Sequence, residues 1–222
     1  MLNNIIIHIS LKMIIIKKTQ ELKDFCKKCS AYEYVTLDTE FLRERTYYSK
    51  LCLVQMAHPG NSKDSAVLID PLSPDLSLDP LYELFKDPNV VKVFHAARQD
   101  LEIFFVDKKI IPFPFFDTQV AAMVCGFGEQ VGYEKLVRSI CNEGLDKSSR
   151  FTDWSARPLS SQQMQYAIGD VTYLREIYEF LSNKINKNGR QAWVEEELSI
   201  LMDPETYIVD PKFAWRRVKT RT

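Results

Sequence analysis

Val35-Thr36-Leu37-Asp38-Thr39-Glu40-Phe41 reads as a strand, and it carries two acids two residues apart. Successive side chains of a strand face opposite sides, so Asp38 and Glu40 point one way while Leu37 and Thr39 point the other. Two carboxylates on one edge of a buried strand are costly to desolvate unless a cation lies between them. Taken alone, the triplet reads first as a solvated strand end. Its meaning therefore depends on acids elsewhere in the chain.

Working outward, residues 51–57 and 65–70 are apolar runs separated by Pro59-Gly60-Asn61, and with the acid strand they predict a three-strand antiparallel meander. Residues 13–16 and 90–94 are further strands. Helices are expected over 19–28 with Thr19 as cap, 78–85, 96–106, 133–141 and 191–202, and from an Asp117 cap to Met123. The longest runs from Ser160, with Gln163 as capping-box partner, to about residue 186, with a break over 184–189. The pattern predicts one α/β domain, a mixed sheet flanked by helices.

The 222 residues are 45% hydrophobic and 27% charged, so a packed core is expected. A net charge of −1 excludes a broad electrostatic grip on nucleic acid or membrane and leaves room for a local one. The five cysteines are irregularly spaced, which points to a reducing, cytoplasmic setting. Cys26-Lys27-Lys28-Cys29 has no second ligand pair and reads as a helix end. The isoleucine-rich start is too short to span a bilayer and lacks the marks of a signal peptide. Residues 1–12 read as an upstream extension before Met13, 13–186 as the main domain, and 187–222 as a last helix and basic tail. The glycines of 126–132 are spaced wrongly for a dinucleotide loop and follow a helix, so no small-molecule cofactor is expected.

Two other weak signals join the first. Tyr166 and Asp170, four apart on the long helix, share a face offset from its apolar stripe. Asp100 stands early in the helix after the 90–94 strand, at the sheet edge where α/β proteins place ligands. Asp38, Glu40, Asp100 and Asp170 are all hard oxygen ligands, a set that selects Mg²⁺ or Mn²⁺. Four carboxylates in one cleft call for about two such ions, the usual equipment for attack on a phosphodiester.

Residues 37–41, 95–102 and 166–170 resemble the three exonuclease motifs of the DEDD superfamily, tyrosine branch. Arg45-Thr46-Tyr47-Tyr48, Asp117-Thr118-Gln119 and residues 152–159 resemble the ribonuclease D family. The resemblance implies a ribonuclease H-like fold and a metal-dependent 3′→5′ exoribonuclease that releases nucleoside 5′-monophosphates. It further implies that Asp38, Glu40 and Asp170 hold one ion and the attacking water. Asp38 would bridge to a second ion supported by Asp100, and Tyr166 would orient the water. RNA 3′ ends, tRNA precursors among them, are the implied substrates, and a monomer is expected.

Phe41 is either a wedge against the terminal base or a core residue. Gln55, His95, Lys147 and Arg157 are candidates for sugar and phosphate contacts. Family members continue into helical C-terminal modules. Here the sequence stops at Lys219-Thr220-Arg221-Thr222, which predicts a weak grip on folded tRNA, helped by the basic residues of 212–222. The competing readings are a DNA-directed exonuclease of the same superfamily and a non-catalytic RNA-binding module.

Overall fold

The computed structural model describes residues 13–43, 46–146, 148–208 and 212. At its centre lie β1 (Ile14–Ile16), β2 (Tyr34–Leu42), β3 (Lys50–Ala57), β4 (Ala66–Ile69), β5 (Val91–Phe94) and β6 (Phe115–Asp117). They form one sheet in the order β1-β4-β3-β2-β5-β6, which puts the acid-bearing β2 in its middle. The meander β2-β3-β4 is antiparallel as expected, while β1, β5 and β6 each pair parallel to their neighbour. β6 is a strand the sequence pattern does not announce, because three residues are too few to display a period of two.

Around the sheet stand α1 (Thr19–Cys29), α2 (Asp79–Lys86), α3 (Arg98–Lys108), α4 (Thr118–Val124), α5 (Tyr133–Leu136, continued by a π turn over Val137–Cys141), α6 (Ser161–Asn188) and α7 (Gln191–Met202). Val35, Leu37, Val54 and Met56 join Leu22, Phe25, Leu101 and Phe104 in the larger core. The other face carries Leu53 and Leu68, which pack with Trp154, Leu159 and Ala167 under α6. Burial of this kind contributes about 1.5–3 kcal/mol for each large apolar side chain.

The ladder between β2 and β3 shifts by one residue. Asp38 lies opposite Gln55 and Glu40 opposite Leu53, but Phe41 pairs with Leu51, which leaves Cys52 as a bulge. β2 itself keeps its alternation, so both acids remain on the α6 face.

Local signals fare unevenly. The capping box of Ser160 and Gln163 is present, and Asp117 accepts from the backbone N–H of Gln119 at 2.7 Å. Thr19 is not a cap: it is the first residue of α1, and its hydroxyl donates to the Asp75 carbonyl while accepting from Ser77 N–H. The expected break over 184–189 shrinks to Gly189, whose φ of 61° ends α6 in the left-handed conformation that glycine adopts freely. Burial pushes the Cys26 thiol up to about 12, which suits a helix end rather than a ligand. No helix among the described residues is long and apolar enough to cross a membrane. Residues 1–12, Arg45, Lys147 and the tail from 213 lie outside the described residues.

Candidate active site

A hydrogen bond brings the distant acids together. The buried Thr36 hydroxyl donates to the Val171 carbonyl at 2.7 Å and fastens β2 to α6 beside Asp170. As a result Asp38, Glu40 and Asp170 offer oxygens that all lie within 4.8 Å of one another. Asp100, buried in the first turn of α3, stands next to this trio rather than in it. The Thr39 hydroxyl donates to its Oδ1. Because Thr39 faces away from Asp38 and Glu40, Asp100 approaches β2 from the α3 side.

The position of Asp100 depends on a turn held by another acid. Ala96, just before α3, has a φ of 56°, which is unusual for a residue with a side chain. Asp117 holds it there, accepting from Ala96 N–H at 3.0 Å and Ala97 N–H at 2.9 Å. One buried carboxylate thus sets the start of both α3 and α4.

Crowding leaves its mark on the protons. Burial, then the charges of Asp170, Asp100 and Glu40, pushes the Asp38 carboxyl well above the usual carboxylate range. Burial, then the charges of Asp170 and Asp100, pushes Glu40 up to about 9, with Arg150 opposing. Burial also raises Asp100 and Asp170, each to about 7. Asp170 Oδ2 is buried and has no hydrogen-bond partner among the described residues. An orphaned acceptor amid mutually repelling carboxylates fits a hard divalent cation, and the all-oxygen donor set suits Mg²⁺ or Mn²⁺.

Asp38, Tyr166 and Asp170 open onto a cleft of about 450 Å³, bordered also by His95, Tyr133 and Arg150. Tyr166 is half-buried, with its ring centroid 6.0 Å from that of Trp154. Burial, then the charges of Asp170, Glu40 and Asp38, raises its phenol, so it stays protonated at neutral pH.

The expected substrate contacts separate. His95 lies at the cleft, its Nδ1 3.0 Å from the Thr118 hydroxyl. Phe41 is half-buried on the side of β2 away from Glu40. Gln55 is fully buried across from Asp38, and neither of its amide atoms has a hydrogen-bond partner among the described residues.

Arg157 is not brought to the cleft. Its Nε and Nη2 clasp Asp70 at 2.9 and 2.7 Å, and its remaining donors go to the carbonyls of Cys52, Trp154 and Ala156. The arginine that does face the acids is Arg150, which the sequence reading passed over.

Fold and site define the class: a ribonuclease H-like α/β domain with an acid cluster at the middle of its sheet. A family model described as 3′-5′ exonuclease matches residues 13–186. The chain belongs to that family. It is 63% identical over 207 residues to a ribonuclease D of Jannaschia sp., covering 93% of this chain and 54% of that protein. The chain thus spans about half the length of the curated relatives it matches. In structure it resembles Escherichia coli RNase D, described as an exoribonuclease involved in structured RNA processing. That match has a TM-score of 0.84 and 34% identity, covering 92% of this chain and 53% of the other. It also resembles Brucella melitensis NrnC bound to pGG, with a TM-score of 0.70 and 25% identity over 93% of this chain and 97% of that one.

Proposed function

We propose that this chain is a divalent-metal-dependent 3′→5′ exoribonuclease that trims RNA 3′ ends, tRNA precursors among them, and releases nucleoside 5′-monophosphates. The observation that carries the reading is the convergence of Asp38, Glu40 and Asp170 within 4.8 Å of one another at the edge of a cleft. Membership of the 3′-5′ exonuclease family supports the polarity, and likeness to ribonuclease D proteins supports RNA as the polymer. Residues 13–186 would form the catalytic unit.

Asp38, Glu40 and Asp170 would hold the ions, with Asp100 supporting from the α3 side. Divalent ions bound there would supply a more acidic water and a counter-charge for the departing 3′-oxygen. The chain's own groups do the rest. Tyr166 keeps its proton and orients the attacking water by hydrogen bonding rather than by acting as a base. Arg150, at the same cleft, offsets the charge of the scissile phosphate. His95 is held in place by Thr118 and offers its ring to the terminal nucleotide.

A time course on 3′-extended tRNA, with and without chelator and resolved by length, tests the reading. A ladder shortening from the 3′ end with monophosphate product is expected only when metal is present. Internal cuts, chelator-resistant cleavage or a matched DNA strand degraded as fast as RNA would refute it.

A further inference from the structure

A second cleft, of about 560 Å³, lies beside the first and is bordered by Leu42, Thr46, Lys50, Phe151 and Asp153. Two connections join the clefts. Leu42 ends the strand that carries Asp38 and Glu40. Arg150 borders the first cleft and its neighbour Phe151 borders the second. The second cleft therefore adjoins the acid strand at its end and lies one residue along the loop from Arg150.

Phe151 is the most conspicuous group there. It is 91% exposed, more than any other large hydrophobic residue among those described. The residues around it are tethered. Gln163, anchored at the start of α6, donates through Nε2 to the Thr152 hydroxyl at 3.1 Å and the Asp153 carbonyl at 3.3 Å. Thr152 in turn donates to the Ser149 carbonyl at 2.7 Å. Farther along, Arg157 pins the Trp154 carbonyl. The Arg150 guanidinium lies 5.3 Å from the Phe151 ring centroid, a cation–π distance that leaves the second ring face open.

An exposed aromatic ring on a tethered loop, next to Lys50 and Arg150, is the chemistry that holds a single-stranded base without reading its identity. The acid in this cleft is occupied: Asp153 accepts from Ser155 N–H and Oγ at 2.8 and 2.6 Å. We propose that Phe151 is a stacking platform for the base on the 5′ side of the scissile linkage, making the second cleft an upstream-nucleotide subsite for single-stranded RNA. The inference rests on the exoribonuclease reading and adds a residue that sets substrate length.

The test compares two substrates on the full chain. The methyl ester of uridine 5′-monophosphate presents the terminal nucleotide with no ring upstream, whereas a pentanucleotide presents both. Phe151→Ala should raise the ratio of pentanucleotide KM to ester KM about tenfold, the scale of one lost stacking contact. Phe151→Trp should restore the ratio. An unchanged ratio, or equal rises in both KM values, would overturn the proposal. Failure of the unsubstituted chain to cleave either substrate would instead overturn the exoribonuclease reading. In that event, anisotropy of a 5′-fluorescein pentanucleotide in Ca²⁺ still decides, because Phe151→Ala must weaken binding about tenfold.

Discussion

The hydroxyl of Thr39 donates to Oδ1 of Asp100 and ties the strand bearing Asp38 and Glu40 to the first turn of α3. This bond selects where the fourth acid stands, since Asp100 would otherwise share its charge with the trio unrestrained. Thr39→Val keeps the shape of the side chain and removes the donor. The expected loss is about 1–3 kcal/mol of stability, read by urea unfolding. A drop in Mn²⁺ affinity should accompany it in calorimetry. Unchanged affinity would mean that Asp100 does not assist the ions.

Arg157 and Asp70 form a pair whose removal should register in folding. Asp70 is 4% exposed at its side chain, and two guanidinium nitrogens of Arg157 meet it. Arg157→Ala strands a buried carboxylate and should cost about 3–5 kcal/mol. The salt dependence of RNA binding by the folded fraction should stay as it was. A flatter salt dependence would return Arg157 to the phosphate-binding set.

Which acids share a face was legible from spacing. Asp38 and Glu40 alternate with Leu37 and Thr39 as a strand demands, and Tyr166 and Asp170 share a helix face; those relations are local. What stayed hidden is tertiary. Arg150 and Arg157 stand in the same loop, and nothing in their spacing says which one the fold consumes on Asp70. Gln55 looks like a free polar group until the ladder sets it opposite Asp38 and α6 covers it. Thr19 has the composition of a cap, yet the approach of residues 75–77 claims its hydroxyl. Such outcomes depend on partners far away in sequence, which periodicity does not report.

The crowded acids also predict how stability responds to pH. Glu40 is held at about 9, and Asp100 and Asp170 at about 7, all above their unfolded values. The folded state therefore keeps protons that the unfolded state has released, and stability without metal falls as pH rises from about 5 to 8. Asp38→Asn removes part of the repulsion, so its metal-free Tm should overtake that of the unsubstituted chain across this window. Mn²⁺ should raise the Tm of the unsubstituted chain more at pH 8 than at pH 5. Differential scanning fluorimetry at the two pH values checks both signs, and a larger metal effect at pH 5 would contradict them.

Tyr166→Phe separates orienting from proton abstraction. The phenol is held in its protonated form, so losing it should lower kcat about tenfold to a hundredfold while leaving Mn²⁺ affinity intact. The pH profile should keep its shape. Disappearance of an ionisation from that profile would show that Tyr166 is the base.

The claim beneath all of these is that Asp38, Glu40 and Asp170 converge to bind small hard cations. An anomalous-difference map from crystals soaked in Mn²⁺ measures it directly. Strong peaks are predicted between the carboxylates of Asp38, Glu40 and Asp170, lost in crystals of Asp38→Asn. A map with no peak at these three acids, or with Mn²⁺ bound only elsewhere on the chain, would contradict the account.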